Sequence, residues 1–130
     1  MAAKIITVFN QKGGCGKTMI SMQLAGTLGL RGYKVFLVDM DPQNTAQLWS
    51  LQAGVDSPFP ATVLSLAPLK EAFLSKMEPI LSKNDVVIID CPPALGSRVP
   101  WTTLTLADLA LMPVVPLLDN YWAARQAEEL

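Results

Sequence analysis

The run Gln11-Lys12-Gly13-Gly14-Cys15-Gly16-Lys17-Thr18 has the makings of a phosphate cradle. It satisfies the pattern G-x-x-x-x-G-K-[ST] everywhere but at the first position, where Gln11 replaces glycine. Gly13, Gly14 and Gly16 permit positive φ and close backbone approach, so consecutive N–H groups can point at phosphate oxygens. A helix opening near Lys17 adds the positive end of its dipole. From that position Lys17 reaches β- and γ-phosphates, and the Thr18 hydroxyl can ligate Mg²⁺. Two acidic segments follow: Asp39-Met40-Asp41-Pro42-Gln43, and Asp90 within the run VVIIDCPP over 86–93. Carboxylates two residues apart can serve both a metal's water shell and an attacking water.

Missing residue types narrow the chemistry further. The chain has no histidine, which removes Ser-His-Asp and Cys-His nucleophile systems, His-ligated zinc and imidazole proton shuttles. Cys15 and Cys91 stand apart, so one copy closes neither a zinc ribbon nor a four-thiolate cluster, and no disulfide framework exists, in keeping with a reducing cytosol. A net charge of −1 argues against a nucleic-acid footprint spread over the whole chain. With 51% hydrophobic and 16% charged residues, the balance is that of a well-buried α/β core or of surface meant to be covered. The richest apolar stretch, 109–118, holds Pro113 and Pro116 and is far short of the ~20 residues that cross a bilayer. Met1-Ala2-Ala3-Lys4 leads straight into a strand-like segment with no signal-peptide pattern.

The elements that must position these groups alternate between strand and helix. Residues 4–10 (KIITVFN) read as a strand covered on both faces, and 17–31 as a helix with Ile20, Leu24 and Leu28 along one stripe and Gly32 as its terminator. Residues 34–39 form a second strand, and 44–53 a short helix capped by Asn44 or Thr45. The stretch 54–68, with Pro58, Pro60 and Pro68, is the least legible and holds a possible strand over 62–66. Leu69, Phe73, Met77 and Leu81 share a helix face that Pro79 should kink or split. Residues 85–90 are a buried strand ending in a carboxylate. A helix over 100–107, a strand over 109–115 and a helix from Asp119 complete the pattern. This alternation implies a parallel sheet with helices on both faces, and ligands bind such sheets at the carboxyl ends of their strands. Gly13, Asp39 and Asp90 all fall there. Trp49, Trp101 and Trp122 make no stacking platform and are expected in the core or at an interface.

Lys12 distinguishes the loop from an ordinary cradle. The combination Lys-Gly-Gly-x-Gly-Lys-Thr resembles the deviant Walker A motif of the ParA/MinD family of ATPases, closest to the short ParA-type partition proteins without an N-terminal helix-turn-helix. Asp39 to Gln43 resembles the family's switch I motif D-x-D-P-Q, and 86–93 its Walker B strand and switch II turn. Pro113-Val114-Val115-Pro116 and Trp122-Ala123-Ala124 also resemble the segments that follow, so the likeness runs over about residues 4–128. It implies a single P-loop NTPase domain over 1–130, three-layer αβα with a mainly parallel sheet. Because family members run roughly twice as long, it further implies that the domain is truncated on its C-terminal side.

The resemblance also assigns roles. Lys12, Gly13, Gly14, Cys15, Gly16, Lys17, Thr18 and Met19 would bind ATP, with Lys17 acting in cis and Lys12 reaching the partner's phosphates across a nucleotide-sandwich dimer. Asp41 would position the hydrolytic water, completing a catalytic set with Lys12 and Lys17. Thr18, Asp39 and Asp90 would serve Mg²⁺. Met19 stands where the family often has a second hydroxyl, which implies somewhat weaker binding. Cys15 fills a variable position, where tolerance of a small residue outweighs thiol chemistry. The implied function is an ATP-driven dimerisation switch in plasmid or chromosome partitioning. It would have a ParB-like activator, nonspecific DNA binding, no membrane partner and a cytoplasmic, nucleoid-associated location. The alternatives are a MinD-like positioning ATPase, an iron–sulfur carrier relative, and a truncated non-catalytic interaction module.

Overall fold

Short runs of β-branched and aliphatic residues fold into the strands of one parallel sheet. The computed structural model describes residues 3–9, 16–92, 98–114 and 125–128. Strand β1 (Lys4–Val8) precedes helix α1 (Lys17–Leu30), then β2 (Val35–Asp39), α2 (Thr45–Leu51) and β3 (Thr62–Ser65). A 3-10 stretch (Ala67–Lys76) and α3 (Met77–Lys83) lead to β4 (Val86–Asp90), α4 (Val99–Leu106) and β5 (Leu109–Leu111). The strand order is β3-β2-β4-β1-β5, with every pairing parallel.

Side-chain alternation along each strand generates two cores, one on each face of the sheet. Ile5, Val38, Val87 and Ile89 join Phe73 and Met77 and the α4 residue Val99 on one side. Val8, Val35, Leu37 and Ile88 join Met22 and Ala25 of α1 and Ala46 of α2 on the other. The molecule is therefore a three-layer αβα sandwich. Leu37, Val38, Val87, Ile88 and Ile89 are fully buried, and each such side chain contributes about 1.5–3 kcal/mol through removal from water.

Three local expectations need correction. The buried stripe of α1 is Lys17, Ser21, Met22 and Ala25, whereas Ile20 is exposed and Leu24 and Leu28 are only partly buried at the core's edge. Small residues let α1 lie close to its neighbours: a Cβ added at Gly29 would stand 2.1 Å from the Pro60 carbonyl oxygen. In the second case, Pro79 does not split a helix. It is the third residue of α3, where its missing N–H would have had no intrahelical partner anyway. The irregularity lies upstream, where Lys70 adopts φ +49° and the 3-10 stretch gives way to α3 only at Met77. In the third case only the core half of the expectation falls, since Trp49 and Trp101 are half exposed, and the interface half is untouched; Trp122 lies outside the described residues.

Several boundaries also move by a residue or more. β5 ends at Leu111, ahead of Pro113, which has no N–H to extend the ladder. Of the expected C-terminal helix, residues 125–128 are described and are helical. Gly32 ends α1 as expected, in the left-handed region at φ +94°.

Candidate functional site

The strand order places β4 between β1 and β2, so their carboxyl ends lie side by side. Ser65, Asp39, Asp90, Val8 and Leu111 consequently form one row across the sheet's C-terminal edge, each the register partner of the next. Two carboxylates, Asp39 and Asp90, are adjacent in that row, and both are fully buried.

The start of α1 faces the same edge. Gly16 precedes the helix at φ +90°, a conformation that an L-residue reaches only with strain. Its carbonyl accepts the first helical bond, from the Ile20 N–H at 2.9 Å. The N–H groups of Gly16, Lys17, Thr18 and Met19 thus precede the intrahelical ladder. Gly16, having no side chain, supplies no cap of its own, and no acidic residue stands in the first turn. Such an end attracts anions. Lys17 is buried at 4% exposure and its charge bears on Asp90. Met19 is exposed. Lys12, Gly13, Gly14 and Cys15 lie outside the described residues.

Thr18 connects this helix to the acidic row. Its hydroxyl donates to Asp90 Oδ2 at 2.9 Å, while Asp90 Oδ1 is buried without a hydrogen-bond partner. Burial pushes the Asp90 carboxyl up to about 7; the Thr18 hydrogen bond opposes this, the Asp39 charge adds to it, Lys17 opposes it and Asp41 adds to it. A buried carboxylate oxygen with no donor, beside a hydroxyl and in the field of the Asp39 and Asp41 charges, is suited to a hydrated divalent cation, although among the described residues no three acidic side chains gather closely enough to hold one alone. The residues present therefore fit Mg²⁺, with Thr18 and Asp90 as the groups that would hold it.

Asp39 has a different environment. Its Oδ1 accepts the Asp41 N–H at 3.1 Å and its Oδ2 the Gln47 N–H at 3.1 Å. Burial raises its pKa, and those two backbone bonds pull it back. The side chain thereby fastens the turn between β2 and α2. Asp41 sits half-buried in that turn; its Oδ1 accepts the Gln43 N–H at 2.9 Å and its carbonyl the Asn44 N–H at 2.9 Å. Asn44 occupies the cap position of α2 at φ +56°, yet its side chain does not cap the helix. It accepts the Ser65 hydroxyl instead. Ser65 and Gln47 escaped the sequence reading, because the link joins residues far apart along the chain.

A parallel αβα sandwich whose first helix begins at a glycine, with Thr18 of that helix bonded to Asp90 at a strand end, has the architecture of a nucleotide-binding α/β domain. The chain belongs to the family described as the CobQ/CobB/MinD/ParA nucleotide binding domain, which its residues 6–93 match. It is 33% identical over 128 residues to the maintenance of carboxysome distribution protein A of Halothiobacillus neapolitanus, covering 96% of this chain and 56% of that protein. It is 28% identical over 163 residues to the chromosome partitioning protein ParA of Myxococcus xanthus, covering 98% and 56%. The chain thus spans just over half the length of these relatives. In three dimensions it is similar to an ATP complex of a Cyanothece McdA variant, with a TM-score of 0.79 at 20% identity over 98% of this chain and 62% of that one. Among the described residues no helix is long and apolar enough to cross a membrane.

Proposed function

We propose that this chain is the nucleotide-binding part of a ParA-type ATPase that uses ATP and Mg²⁺ as a dimerisation switch in positioning a cellular cargo. The observation that carries this reading is the Thr18–Asp90 hydrogen bond, with its orphaned Asp90 oxygen, directly below a glycine-preceded helix start.

The residues divide the work as follows. The N–H groups from Gly13 to Met19 and the Lys17 ammonium hold the phosphates and offset the charge that builds on the γ-phosphoryl group. Thr18 and Asp90 would hold Mg²⁺, which when bound supplies charge neutralisation at the phosphates. Asp41 orients the attacking water through Oδ2, its Oδ1 being engaged by Gln43. Asp39 fixes the turn that carries Asp41 and adds negative charge near the metal. Lys12 reaches the phosphates of a second copy, so each subunit completes the other's site. Phosphoryl transfer asks chiefly for positioning and charge stabilisation, and this set supplies both without histidine.

The family likeness supports two cargoes. Partition of plasmid or chromosome DNA, with nonspecific DNA as track and a ParB-like activator, agrees with the D-x-D-P-Q motif and the Myxococcus relative. Positioning of a protein-bounded body is favoured by the likeness to the carboxysome distribution protein, at 33% identity. The test is ATP binding, hydrolysis and sedimentation of the longest natural reading frame, with and without Mg²⁺ and DNA. Mg²⁺-dependent ATP binding with dimer formation is expected, and Lys12→Ala should abolish the dimer while monomers still bind ATP. Absence of ATP binding would overturn the reading and favour a non-catalytic module. DNA binding indifferent to ATP would overturn the switch.

A further inference from the structure

Strand β3 lies at the outer edge of the sheet, with β2 as its one neighbour. Leu66 donates its N–H inward to the Asp39 carbonyl at 3.0 Å, so the preceding N–H, that of Ser65, faces away from β2. An edge N–H of this kind is ordinarily left to water. Here the Gln47 side-chain carbonyl accepts it. The Ser65 hydroxyl meanwhile donates to Asn44 Oδ1. One residue thus uses both its donors on α2: the cap residue of that helix and a residue in its first turn.

These contacts bear on the acidic turn from β3, beside the hold that Asp39 has on it from β2. Gln47 is gripped twice, by its own N–H on Asp39 Oδ2 and by its side chain on Ser65. Asn44 closes the turn on the Asp41 carbonyl while held by Ser65 in a left-handed conformation. A free Asn at a helix cap would turn its side chain inward to the first-turn N–H groups. Asn44 forgoes that bond and ties the turn to the sheet. The segment from Asp41 to Gln47 is therefore pinned at both ends, to Asp39 and to Ser65.

We infer that Ser65 is a positioning residue for Asp41, acting through Asn44 and Gln47 to hold the turn between β2 and α2 against the edge of the sheet. The role given to Asp41 rests on the hydrolytic reading above. The clamp itself does not.

The test has two arms, both on the whole chain. In the first, amide hydrogen exchange over residues 41–51 is measured without nucleotide for wild type, Ser65→Ala and Ser65→Thr. Ser65→Ala removes one donor and leaves the backbone intact, so exchange should accelerate about fivefold or more, and Ser65→Thr should restore protection. Unchanged exchange in Ser65→Ala overturns the clamp whether or not the protein hydrolyses ATP. In the second arm, steady-state ATP hydrolysis is compared. Ser65→Ala should lower kcat about tenfold with KM for ATP within about twofold, Ser65→Thr should recover the rate, and the loss should vanish in an Asn44→Gly background. Faster exchange with unchanged kcat, or a KM that rises in step with the fall in kcat, overturns the positioning of Asp41. An inactive wild type overturns the hydrolytic reading and leaves the first arm to decide the clamp.

Discussion

Asp39 and Asp90 stand opposite each other as register partners at the carboxyl ends of β2 and β4, both without solvent exposure. Two like charges in that position oppose each other's ionisation, yet their surroundings separate them. Among the described residues, Asp39 receives two backbone N–H groups, whereas Asp90 receives one hydroxyl and keeps one oxygen without a donor. Asp90 is thus the member of the pair with an oxygen left over for the cation proposed above. Asp90→Asn should cut Mg²⁺-dependent ATP hydrolysis by at least about a hundredfold. The same substitution should make the metal-free protein more stable at pH 8, since it removes a buried charge. Urea denaturation in EDTA checks the second outcome, and a less stable variant would contradict it.

The same pair sets a pH dependence. Burial holds the Asp90 carboxyl at about 7 in the folded chain, against 3.8 when unperturbed. Between those values the native state binds more protons than the unfolded state, so this group's stability contribution is complete below pH 3.8 and is lost as pH rises through 7. Asp39 is displaced in the same direction. Unfolding free energy in EDTA should therefore fall between pH 5 and pH 8. Asp90→Asn should flatten that slope, and a slope equal to wild type would refute the assignment to Asp90.

How far the sequence revealed this arrangement depended on whether the signal was local. Residues 4–10, 34–39 and 85–90 announce strands because their interiors are runs of apolar and β-branched residues, as a sheet covered on both faces requires. Asp39 and Asp90 were legible as site residues because each closes such a run. The stretch 67–83 was not legible: Leu69, Phe73, Met77 and Leu81 keep helical spacing across a 3-10 segment and a left-handed Lys70. Spacing alone cannot distinguish that from one helix. In α1 the stripe through Ile20, Leu24 and Leu28 looked like the buried face, but the sheet takes the smaller side chains Ser21 and Ala25, one position on. The Ser65 clamp had no local signature at all, since its partners lie 18 and 21 residues away.

Gly26 and Gly29 should respond differently to the same substitution. In an exposed helix interior, glycine to alanine gains about 1 kcal/mol from reduced backbone entropy. At Gly29 the added Cβ would stand 2.1 Å from the Pro60 carbonyl oxygen and 2.8 Å from its carbonyl carbon, so backbone must move. Gly29→Ala should therefore destabilise by about 1–3 kcal/mol, the usual range for overpacking. At Gly26 the nearest atom is the Phe59 ring at 3.3 Å, a side chain that can give way. Gly26→Ala should fall within about 1 kcal/mol of wild type. Thermal melts of both variants decide this, and equal effects would mean that the loop at 59–60 does not sit against α1.

Cys91 directly follows Asp90, yet its chemistry should be silent. Its side chain is fully buried, and its sulfur lies 3.2 Å from the Thr103 hydroxyl. Burial pushes the thiol up to about 12, outweighing the Thr103 hydrogen bond, with the neighbouring Asp90 charge adding to the rise and Lys17 opposing it. The reactive thiolate is therefore almost absent at pH 8, and no reagent reaches the sulfur while Cys91 stays buried against Thr103. In a Cys15→Ser background, modification by a disulfide reagent should proceed no faster than global unfolding and should accelerate in step with unfolding as urea is added. A rapid stoichiometric reaction in buffer alone would show that the contact between Cys91 and Thr103 of α4 opens far more readily than its burial implies.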